Sequence, residues 1–389
     1  MKNLSFLFLL IFASCHSQIK YSPIPEFMVP DKYNFGSVLL NTINTKDEFY
    51  DLTNSLPKNY VTDATVDYTE FLQKGLKEHK KTIFPNFPVL INDAGLDIES
   101  NSTVNFQDNS VLVLKPSSKE TYEMLRLHQV ENIIINNAHI IGDREMHLGT
   151  TGEWGMGIAI RSSKNVKILN SKIEKCWGDG IYVGQIWIRE KGKKAKLLEP
   201  SENVNIYNTS VDYCRRNGLS IVAVDGINVY NSLFANSIGT FPKAGIDIEP
   251  GEVDNVKIVN TNTYNNGARG IDLMLKDIGK DKSKKINVVI ENHKDLLSAT
   301  GLRIAGYKDL YPSSTITPIE GKISIINPQW DKNSYGTLVV EPNQSLAPQI
   351  SIQGLKSKSK NGENLSVSKI KKSAKVSSGL KSNAKIDIN

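Results

Sequence analysis

Cysteine is scarce in this sequence, and the spacings that build metal or cofactor sites are missing. The 389 residues contain three cysteines, of which only Cys176 and Cys214 lie beyond the extreme N-terminus. Two cysteines are too few for a disulfide framework, so packing must hold the fold together. No zinc-ligand spacing, no glycine-rich phosphate loop and no aspartate cluster with calcium-loop spacing occurs. We therefore expect neither a metal nor a cofactor.

Positive charge is concentrated at the C-terminus. The formal net charge is +6 at pH 7, yet residues 355–389 carry nine lysines against Glu363 and Asp387, a surplus of seven. The rest of the chain therefore sums to about −1 (6 − 7). Because this tail has no aromatic side chain to stack on bases, it does not favour a nucleic-acid partner. Its composition, rich in Ser, Lys and Asn, predicts a solvated or loosely docked extension.

The N-terminus has the composition of an export signal. Residues 1–14 combine Lys2, an apolar run and small residues ahead of Cys15, and the run is too short to span a bilayer and stay there. Residues 12–15 resemble the bacterial lipoprotein cleavage box, although Phe12 stands where Leu is usual. The resemblance implies a lipid anchor on Cys15 and an outer-membrane or cell-surface location. The alternative is a secreted or periplasmic protein without an anchor.

Two short patterns recur in a fixed register. The first is Gly-apolar-x-apolar, which begins at Gly157, Gly180, Gly218, Gly245, Gly270, Gly301 and Gly336. The second is Asn-Val-x-Ile-x-Asn, at residues 165–170, 203–208 and 255–260, and its first Asn stands 15 residues before the next glycine each time. An alternating strand of one repeat can bury its apolar side only against neighbouring repeats. Such periodicity is typical of stacked coils.

The repeats predict an all-β fold, a right-handed parallel β-helix. Residues 69–81 form an amphipathic pattern with Phe71, Leu72 and Leu76 on one side, which predicts a helix that caps the open N-terminal end. Cys176 and Cys214 each stand four residues before their glycine, which favours a buried stack over a disulfide. The expected organisation is a signal peptide at 1–14, an N-terminal extension at 15–66, a β-helix domain at 67–354 and a basic tail at 355–389.

Six segments carry a resemblance to a known superfamily. They read DYTEFLQ, GLDIESNSTVNF, GDREMH, GEWGMGI, WGDGIYVG and AGIDIEP. From about Asp67 to Leu275 the chain resembles the pectate-lyase-like β-helix proteins, which include tailspike depolymerases, polygalacturonases and polysaccharide lyases. The resemblance implies a polysaccharide substrate but leaves open hydrolysis, elimination or epimerisation. The tailspike relatives also suggest a homotrimer.

One column of side chains is predicted to face outward. Residues one and three after each glycine are apolar and should face the core, so the residue two after the glycine faces out. Down the stack this column reads Ala159, Tyr182, Ser220, Asp247, Asp272, Arg303 and Leu338. Just before the glycines stand Asp179, Asn217 and Arg269, with Arg216 and Lys243 one residue earlier. Glu249 stands four residues after Gly245. Inserted segments at 143–154, 185–200, 240–243, 276–285 and 306–320 are predicted to wall a groove over this strand.

The outward column predicts acid–base chemistry. Coils lie about 4.8 Å apart, and like charges at that distance cannot both ionise easily, so one carboxyl can act as a general acid. We expect the catalytic groups among Asp179, Asp247, Glu249 and Asp272. The expected substrate-binding groups are Tyr182, Arg216, Lys243, Arg269, Arg303, His147 and Trp154. A charge ladder offset by arginines is the alternative interpretation of Asp247 and Asp272.

Asp179 invites a comparison with one branch of the superfamily. Its segment, Trp-Gly-Asp-Gly-Ile, resembles the strand of polygalacturonases that carries paired aspartates. Gly178 and Met156 stand where that family has aspartates, and Asn217 stands where it has histidine. Polygalacturonase activity is therefore not expected. Asp179 is either a groove carboxylate or a turn residue that binds its own backbone.

The leading hypothesis is a glycoside hydrolase that acts on an acidic or complex polysaccharide outside the cytoplasm. A lyase would instead need a base near a uronate C5 proton and a cation, for which His147, Tyr182 and the arginines are candidates. A non-catalytic glycan-binding β-helix is the third hypothesis. Trp154, Trp177 and Trp187 are candidate platforms for sugar stacking, and core packing is the alternative for Trp177.

Overall fold

The computed structural model describes residues 19–30, 48–188, 191–193, 196–275, 285–306, 319–340, 347–373 and 386–388. Within these ranges the chain winds into coils with three faces, and the strands of each face pair in parallel with those of neighbouring coils. The fold is a right-handed parallel β-helix, as the repeats predicted.

Face one carries the Gly-apolar-x-apolar strands. They are Leu96–Asp97, Thr121–His128, Trp154–Arg161, Ile181–Gly184, the first parts of Leu219–Tyr230 and Ala244–Val259, Arg269–Met274, Thr300–Ala305 and Gly336–Val340. Face three carries short strands of three or four residues. They are Pro88–Ile91, Val111–Leu114, His139–Ile141, Lys172–Glu174, Ser210–Asp212, Leu233–Ala235, Asn262–Tyr264, Lys294–Leu296 and Gln329–Asp331.

Face two lies between them in each coil and carries the asparagine-flanked strands. They are Tyr50–Asp51, Lys81–Ile83, Thr103–Asn105, Glu131–Asn136, Lys164–Leu169, Ser201–Tyr207, the second parts of Leu219–Tyr230 and Ala244–Val259, Lys285–Glu291, Glu320–Ile326, Gln349–Gln353 and Ile386–Ile388. The remaining elements of the described ranges are an antiparallel pair, two α-helices and two 3-10 helices. They span Trp187–Ile188 with Lys196–Leu197, Thr69–Glu78, Val367–Ser373, Glu26–Met28 and Leu52–Ser55.

Stacked aliphatic side chains fill the inside of the coils. The first core position of face one is Ile158, Ile181, Leu219, Ile246, Ile271 and Leu302 in successive coils, and all are fully buried. Burying one such side chain contributes about 1.5–3 kcal/mol. No coil could bury this surface alone, so the register between coils is fixed by the whole stack.

The recurring glycines are explained by close approach of the chain. A Cβ atom on Gly218 would lie 2.6 Å from the carbonyl oxygen of Gly245 and 2.9 Å from the Cβ of Phe234. A side chain at this position would therefore collide with the next coil and with face three. The glycine column therefore allows face one to approach face three and the neighbouring coil closely.

Gly336 does not belong to this column, which corrects one predicted position. It pairs with Thr300, one residue earlier than the pattern implied. Leu338 therefore takes a core position and is fully buried, whereas Val339 follows Arg303 in the outward column.

Asparagines turn the corners of face two. Asn165 and Asn170 adopt φ angles of 54° and 52°, a left-handed conformation that asparagine tolerates better than most residues. Their side chains stack between coils, since the amide of Asn203 donates to Asn165 at 2.8 Å and that of Asn208 donates to Asn170 at 3.1 Å. The second repeated pattern thus encodes two turns and their ladders.

The predicted capping helix is present but shorter than expected. It spans Thr69–Glu78, because the first full strand of face two begins at Lys81. Leu72 and Leu76 are buried against the first coil, as predicted. Phe71 was placed on the same side but is 42% exposed, which corrects that assignment.

The N-terminal segment 19–30 lies against face three. The hydroxyl of Ser22 is 2.8 Å from that of Tyr264, and the Asn262 amide donates to the carbonyl of Met28 at 2.8 Å. Met28 is buried against the same face. Residues 1–18, which include the predicted signal peptide and Cys15, lie outside the described residues. No described helix is long and apolar enough to cross a membrane.

Parts of the C-terminal tail belong to the solenoid. Ile386–Ile388 pairs in parallel with Gln349–Gln353, and Ile370 in the last helix is fully buried. Leu355 is also buried. These described residues extend and cover the last coil and are buried in it, whereas the sequence predicted a solvated or loosely docked extension.

The glycine column generates a direct test. We expect Gly218→Ala to lower the free energy of unfolding by about 1–3 kcal/mol, because the new methyl group overpacks the coil interior. Gly336→Ala is the matched control, since its nearest neighbouring atom is 4.0 Å from a built Cβ. Urea unfolding followed by circular dichroism measures both changes. Equal stability of the two variants would contradict the close-approach explanation.

Candidate active site on face one

The outward side of face one carries three columns of polar side chains. The central column is Arg126, Ala159, Tyr182, Ser220, Asp247, Asp272 and Arg303. The first column, three residues earlier in each strand, is Glu123, Met156, Asp179, Asn217, Ala244 and Arg269. The last column, two residues after the central one, includes His128, Arg161 and Glu249. The sequence predicted the central column from Ala159 to Arg303. It missed Arg126 at the start and wrongly added Leu338 at the end.

Asp247 is a buried carboxyl with an unused oxygen. It is 1% exposed and pairs across the ladder with Ser220 and Asp272. The side-chain amide of Asn217 donates to Oδ2 at 3.1 Å, whereas Oδ1 has no hydrogen-bond partner among the described residues. Burial raises the pKa of Asp247 well above its usual range, and the negative charges of Glu249 and Asp272 raise it further. Asp247 therefore holds a proton at pH values where a surface aspartate has lost it.

Asp272 has the opposite environment, although it lies one coil away. Arg303 binds it through two hydrogen bonds, Nε to Oδ1 at 2.7 Å and Nη2 to Oδ2 at 2.6 Å. The Nε atom of Arg269 lies 3.7 Å from Oδ2. A bidentate contact of this kind between a guanidinium and a carboxyl group is charge-assisted and fixes the geometry of both side chains. The two neighbouring aspartates are therefore differentiated by their partners.

Asp179 lies at the centre of a second buried network. Its side chain is fully buried and accepts hydrogen bonds from Arg216 Nη1 at 2.9 Å, Ser220 Oγ at 2.8 Å and the backbone N–H of Asn217 at 3.0 Å. Burial raises the pKa of Asp179, and these donors and the charge of Arg216 offset only part of that rise. Its donors come from the next coil, so Asp179 is not a turn residue that binds only its own backbone.

Arg216 connects the carboxylates of the groove. Besides Asp179, its guanidinium lies 3.6 Å from Glu249 and 3.8 Å from Glu153. Burial lowers the pKa of Arg216, but the surrounding carboxylates outweigh this effect and raise it overall. Glu249 is 28% exposed at its side chain and is the most accessible of the four predicted catalytic carboxyls.

Tyr182 and Lys243 lie on either side of this cluster. The guanidinium of Arg161 stacks 4.1 Å above the ring of Tyr182, and burial raises the pKa of the phenol. Lys243 extends its ammonium 4.7 Å from the ring of the exposed Phe241. Within the described part of the chain, Lys243 forms no ion pair, whereas Arg216 and Arg303 both do.

His147 does not reach the open groove. Its imidazole is fully buried, with Nδ1 2.8 Å from Asp143, and it stacks on the Trp177 ring at 3.9 Å. His147 therefore supports the loop that follows face three and is not placed to act as a base. Trp154 is 48% exposed at the groove edge, as a stacking platform requires, whereas Trp177 is buried.

The predicted groove walls are described only in part. Residues 143–154 and 240–243 lie along one edge of face one, and the pair Trp187–Ile188 with Lys196–Leu197 lies in the insertion 185–200. Most of the segments 276–285 and 306–320 lies outside the described residues. Cys176 and Cys214 are buried free thiols on adjacent coils, in agreement with the predicted stack. Among the described residues, no group of His, Cys, Asp and Glu is arranged to hold a metal ion.

Several polar residues of this face were missed from sequence. Glu123, Arg126 and His128 occupy the three outward columns one coil before Trp154–Arg161. Their strand lacks the Gly-apolar-x-apolar pattern, so its register could not be read. The alternation of apolar and polar residues from Leu125 to His128 is the sequence signal that could have placed them.

Comparison with known proteins supports the fold. No protein-family model matches the chain. The uncharacterized protein YclG of Bacillus subtilis (strain 168) is 30% identical over 237 residues, 54% of this chain and 40% of that protein. The SPbeta prophage-derived uncharacterized protein YorA of the same strain is 32% identical over 167 residues, 40% of this chain and 28% of that protein. The chain thus spans less than half the length of either relative.

Solved β-helix structures superpose on most of the chain. The Yersinia enterocolitica family 28 exopolygalacturonase has a TM-score of 0.57 at 12% identity, covering 83% of this chain and 68% of its own. The A-module of the Azotobacter vinelandii mannuronan C-5 epimerase AlgE4 has a TM-score of 0.56 at 11% identity, covering 81% and 89%. Similarity at such low identity confirms the fold that the sequence resemblance implied and leaves the reaction to the site.

The Asp179–Arg216 pair generates a stability test. We expect Arg216→Gln to lower the free energy of unfolding by about 3–5 kcal/mol, because it leaves Asp179 buried without its cation. Lys243→Gln is the matched control, one coil further in the same strand position and without an ion pair among the described residues. Asp179→Asn added to Arg216→Gln should restore part of the loss. Urea titration of the four proteins measures this, and a loss as large in Lys243→Gln would contradict the pairing.

Proposed function

We propose that face one is the active site of a glycoside hydrolase that acts on a polysaccharide outside the cytoplasm. The observation that supports this most strongly is Asp247, a buried carboxyl with a raised pKa and an oxygen that has no hydrogen-bond partner among the described residues. Glycoside hydrolysis requires a carboxylic acid that stays protonated until it meets the glycosidic oxygen. Asp247 is the general acid in this proposal.

Glu249 supplies the second carboxylate. It follows Asp247 by two residues on one strand, so both side chains point to the same side with Cα atoms about 7 Å apart. Glu249 is the more exposed of the two and contacts the cation of Arg216 at 3.6 Å. In the proposed reaction it either activates a water molecule or attacks the anomeric carbon. The separation of the two carboxyl groups around the bound sugar decides between these courses.

Asp179 and Asp272 act as positioning residues in this proposal. Asp179 fixes Arg216 beside Glu249, and Asp272 fixes Arg303 below Asp247. Both carboxylates are buried and engaged by arginines, so they reach substrate less readily than Glu249. Their charges also help to keep Asp247 protonated. Of the four predicted catalytic carboxyls, the proposal thus keeps Asp247 as the acid and Glu249 as the base or nucleophile. The other two are positioning residues.

Elimination at a uronate is the second candidate reaction. Tyr182 beside Arg161 favours it, because a phenol and a guanidinium could abstract a proton and neutralise a uronate. The raised pKa of Tyr182 opposes it, because a phenol that stays protonated is a poor base. Non-catalytic glycan binding is the third candidate, in which the Asp–Arg pairs serve only as a ladder.

The proposal places the enzyme outside the cytoplasm through its leader. A lipid anchor on Cys15 would hold the β-helix at an outer membrane or cell surface, and cleavage without lipidation would release it to the periplasm or medium. Both follow from the sequence of residues 1–15 alone. The homotrimer that the tailspike relatives suggest stays a prediction.

Substitution of the general acid tests the proposal. We expect Asp247→Asn to reduce kcat about 10²–10⁴-fold on any polysaccharide that the wild type cleaves, because the amide cannot donate the proton. Wild-type kcat should fall as pH rises through the raised pKa of Asp247, and this dependence should be absent in the variant. Glu202→Gln, an exposed carboxylate on face two, is the control. Reducing-end release from galactomannan, arabinoxylan, alginate and polygalacturonate provides the assay.

Three results would contradict hydrolysis by Asp247. Ultraviolet-absorbing unsaturated products would identify elimination instead. Retained polysaccharide affinity without turnover by the wild type would identify a binding protein. Unchanged kcat in Asp247→Asn would assign the acid to another residue.

A further inference from the structure

A second cluster of polar groups occupies face one, upstream of the carboxylates described above. Glu123 is nearly buried, and its two oxygens lie 2.8 Å from Arg161 Nε and 2.8 Å from His128 Nε2. Arg161 also stacks on Tyr182. These four residues come from three successive coils, so the stack of coils itself holds their side chains in place. Neither the proposed acid nor its partner carboxylate takes part in this cluster.

The cluster lies over buried apolar side chains of face one. Ala159 has the smallest side chain in the central column, and its neighbours there are Arg126 in the preceding coil and Tyr182 in the next. Met156 lies beside it in the first column. At the edge of the same strand, the indole of Trp154 is 48% exposed. Ala159 and Met156 are covered by the cluster, so a ligand would contact the exposed indole of Trp154 and the partly exposed side chains of His128 and Arg161. An exposed aromatic ring beside fixed polar groups is a combination that suits the apolar and hydroxyl-bearing faces of a sugar.

The charges of the cluster select the kind of ligand. Burial raises the pKa of Glu123, but the contact with His128 and the charge of Arg161 outweigh it, so the net pKa lies below the usual range. Glu123 is thus an ionised acceptor already matched by a cation, and the pKa of Tyr182 is raised so that its phenol stays neutral. An additional anionic group would be left without a cation of its own. A pair of hydroxyl groups could instead donate to the carboxylate and accept from the guanidinium.

We propose that Glu123, His128, Arg161, Tyr182 and Trp154 form a subsite for an uncharged sugar residue with adjacent hydroxyl groups. The strand of Trp154 lies three coils before that of Asp247, which corresponds to about 14 Å along the axis. The proposal rests on the proposed function only in that the bound glycan continues toward Asp247. It implies a chain that runs along the axis and contains neutral sugars, and not a homopolymer of uronates.

A purely structural role would not require the exposed part of the cluster. His128 is 33% exposed at its side chain, and Trp154 presents about half of its surface to solvent. An ion pair between Glu123 and Arg161 would be complete without either. Substitutions of Trp154 and His128 therefore distinguish a binding role from a purely structural one.

Affinity electrophoresis in gels that each contain one polysaccharide provides the experiment. The probes are galactomannan, arabinoxylan, dextran, polygalacturonate and alginate, and the proteins are wild type, Trp154→Ala, His128→Ala and Glu123→Gln. Tyr21→Ala, a half-exposed aromatic ring in the segment that lies against face three, is the matched control. We expect at least one of the first three polysaccharides to retard the wild type. Trp154→Ala and His128→Ala should each weaken that affinity about tenfold, and Tyr21→Ala should leave it unchanged.

Each remaining outcome overturns the inference. These outcomes are retardation by the two polyuronates alone, retardation by none of the five, and equal affinity of wild type and Trp154→Ala. Glu123→Gln should also lose affinity, and its melting temperature shows whether the variant is folded. If Glu123→Gln does not fold, Trp154→Ala still tests the subsite. Because Asp247→Asn leaves this subsite intact, its gel retardation should match that of the wild type even if the protein hydrolyses nothing. Failure of the subsite and failure of the hydrolase are thereby distinguished.

Discussion

The parallel pairing of face one strands in a fixed register is the constraint on which the rest of the structure depends. Side chains alternate along a strand, so a slip of one residue would turn Asp247 into the core and Ile246 into the groove. The slip is prevented because Ile246 and its counterparts form one continuous aliphatic stack and because the glycine column leaves no space for a side chain. The polar columns of the groove are therefore a by-product of how the apolar interior packs.

The same stacking brings acidic side chains of neighbouring coils close enough to repel one another. Strands about 4.8 Å apart bring acidic side chains together in a buried environment, where not all of them can be ionised. Two arrangements reduce this repulsion. Asp272 and Asp179 are each bound by an arginine from the next coil, whereas Asp247 forms no ion pair with any described residue and burial raises its pKa. In the proposed reaction the acid is therefore the one aspartate of the three that no described arginine binds, and its neighbours are paired.

The repeat made the fold and the central column predictable from sequence. The pattern of glycine, apolar, any, apolar states which residues point inward, and it placed Asp247 and Asp272 side by side. It failed where the pattern was accidental or absent. Gly336 imitates the repeat but pairs one residue out of register with the glycine column, and at its position no neighbouring atom would crowd a Cβ atom. Glu123 and His128 lie in a strand without the glycine. The burial of His147 depends on its contact with Trp177, which no local spacing encodes.

The protonation state of Asp247 is the central claim, and infrared difference spectroscopy measures it directly. A spectrum of the wild type minus that of Asp247→Asn, recorded at neutral pH, isolates the vibrations of this one side chain. The account predicts the carbonyl stretch of a protonated carboxyl group, shielded from water. A difference spectrum that shows only the paired bands of an ionised carboxylate would contradict it.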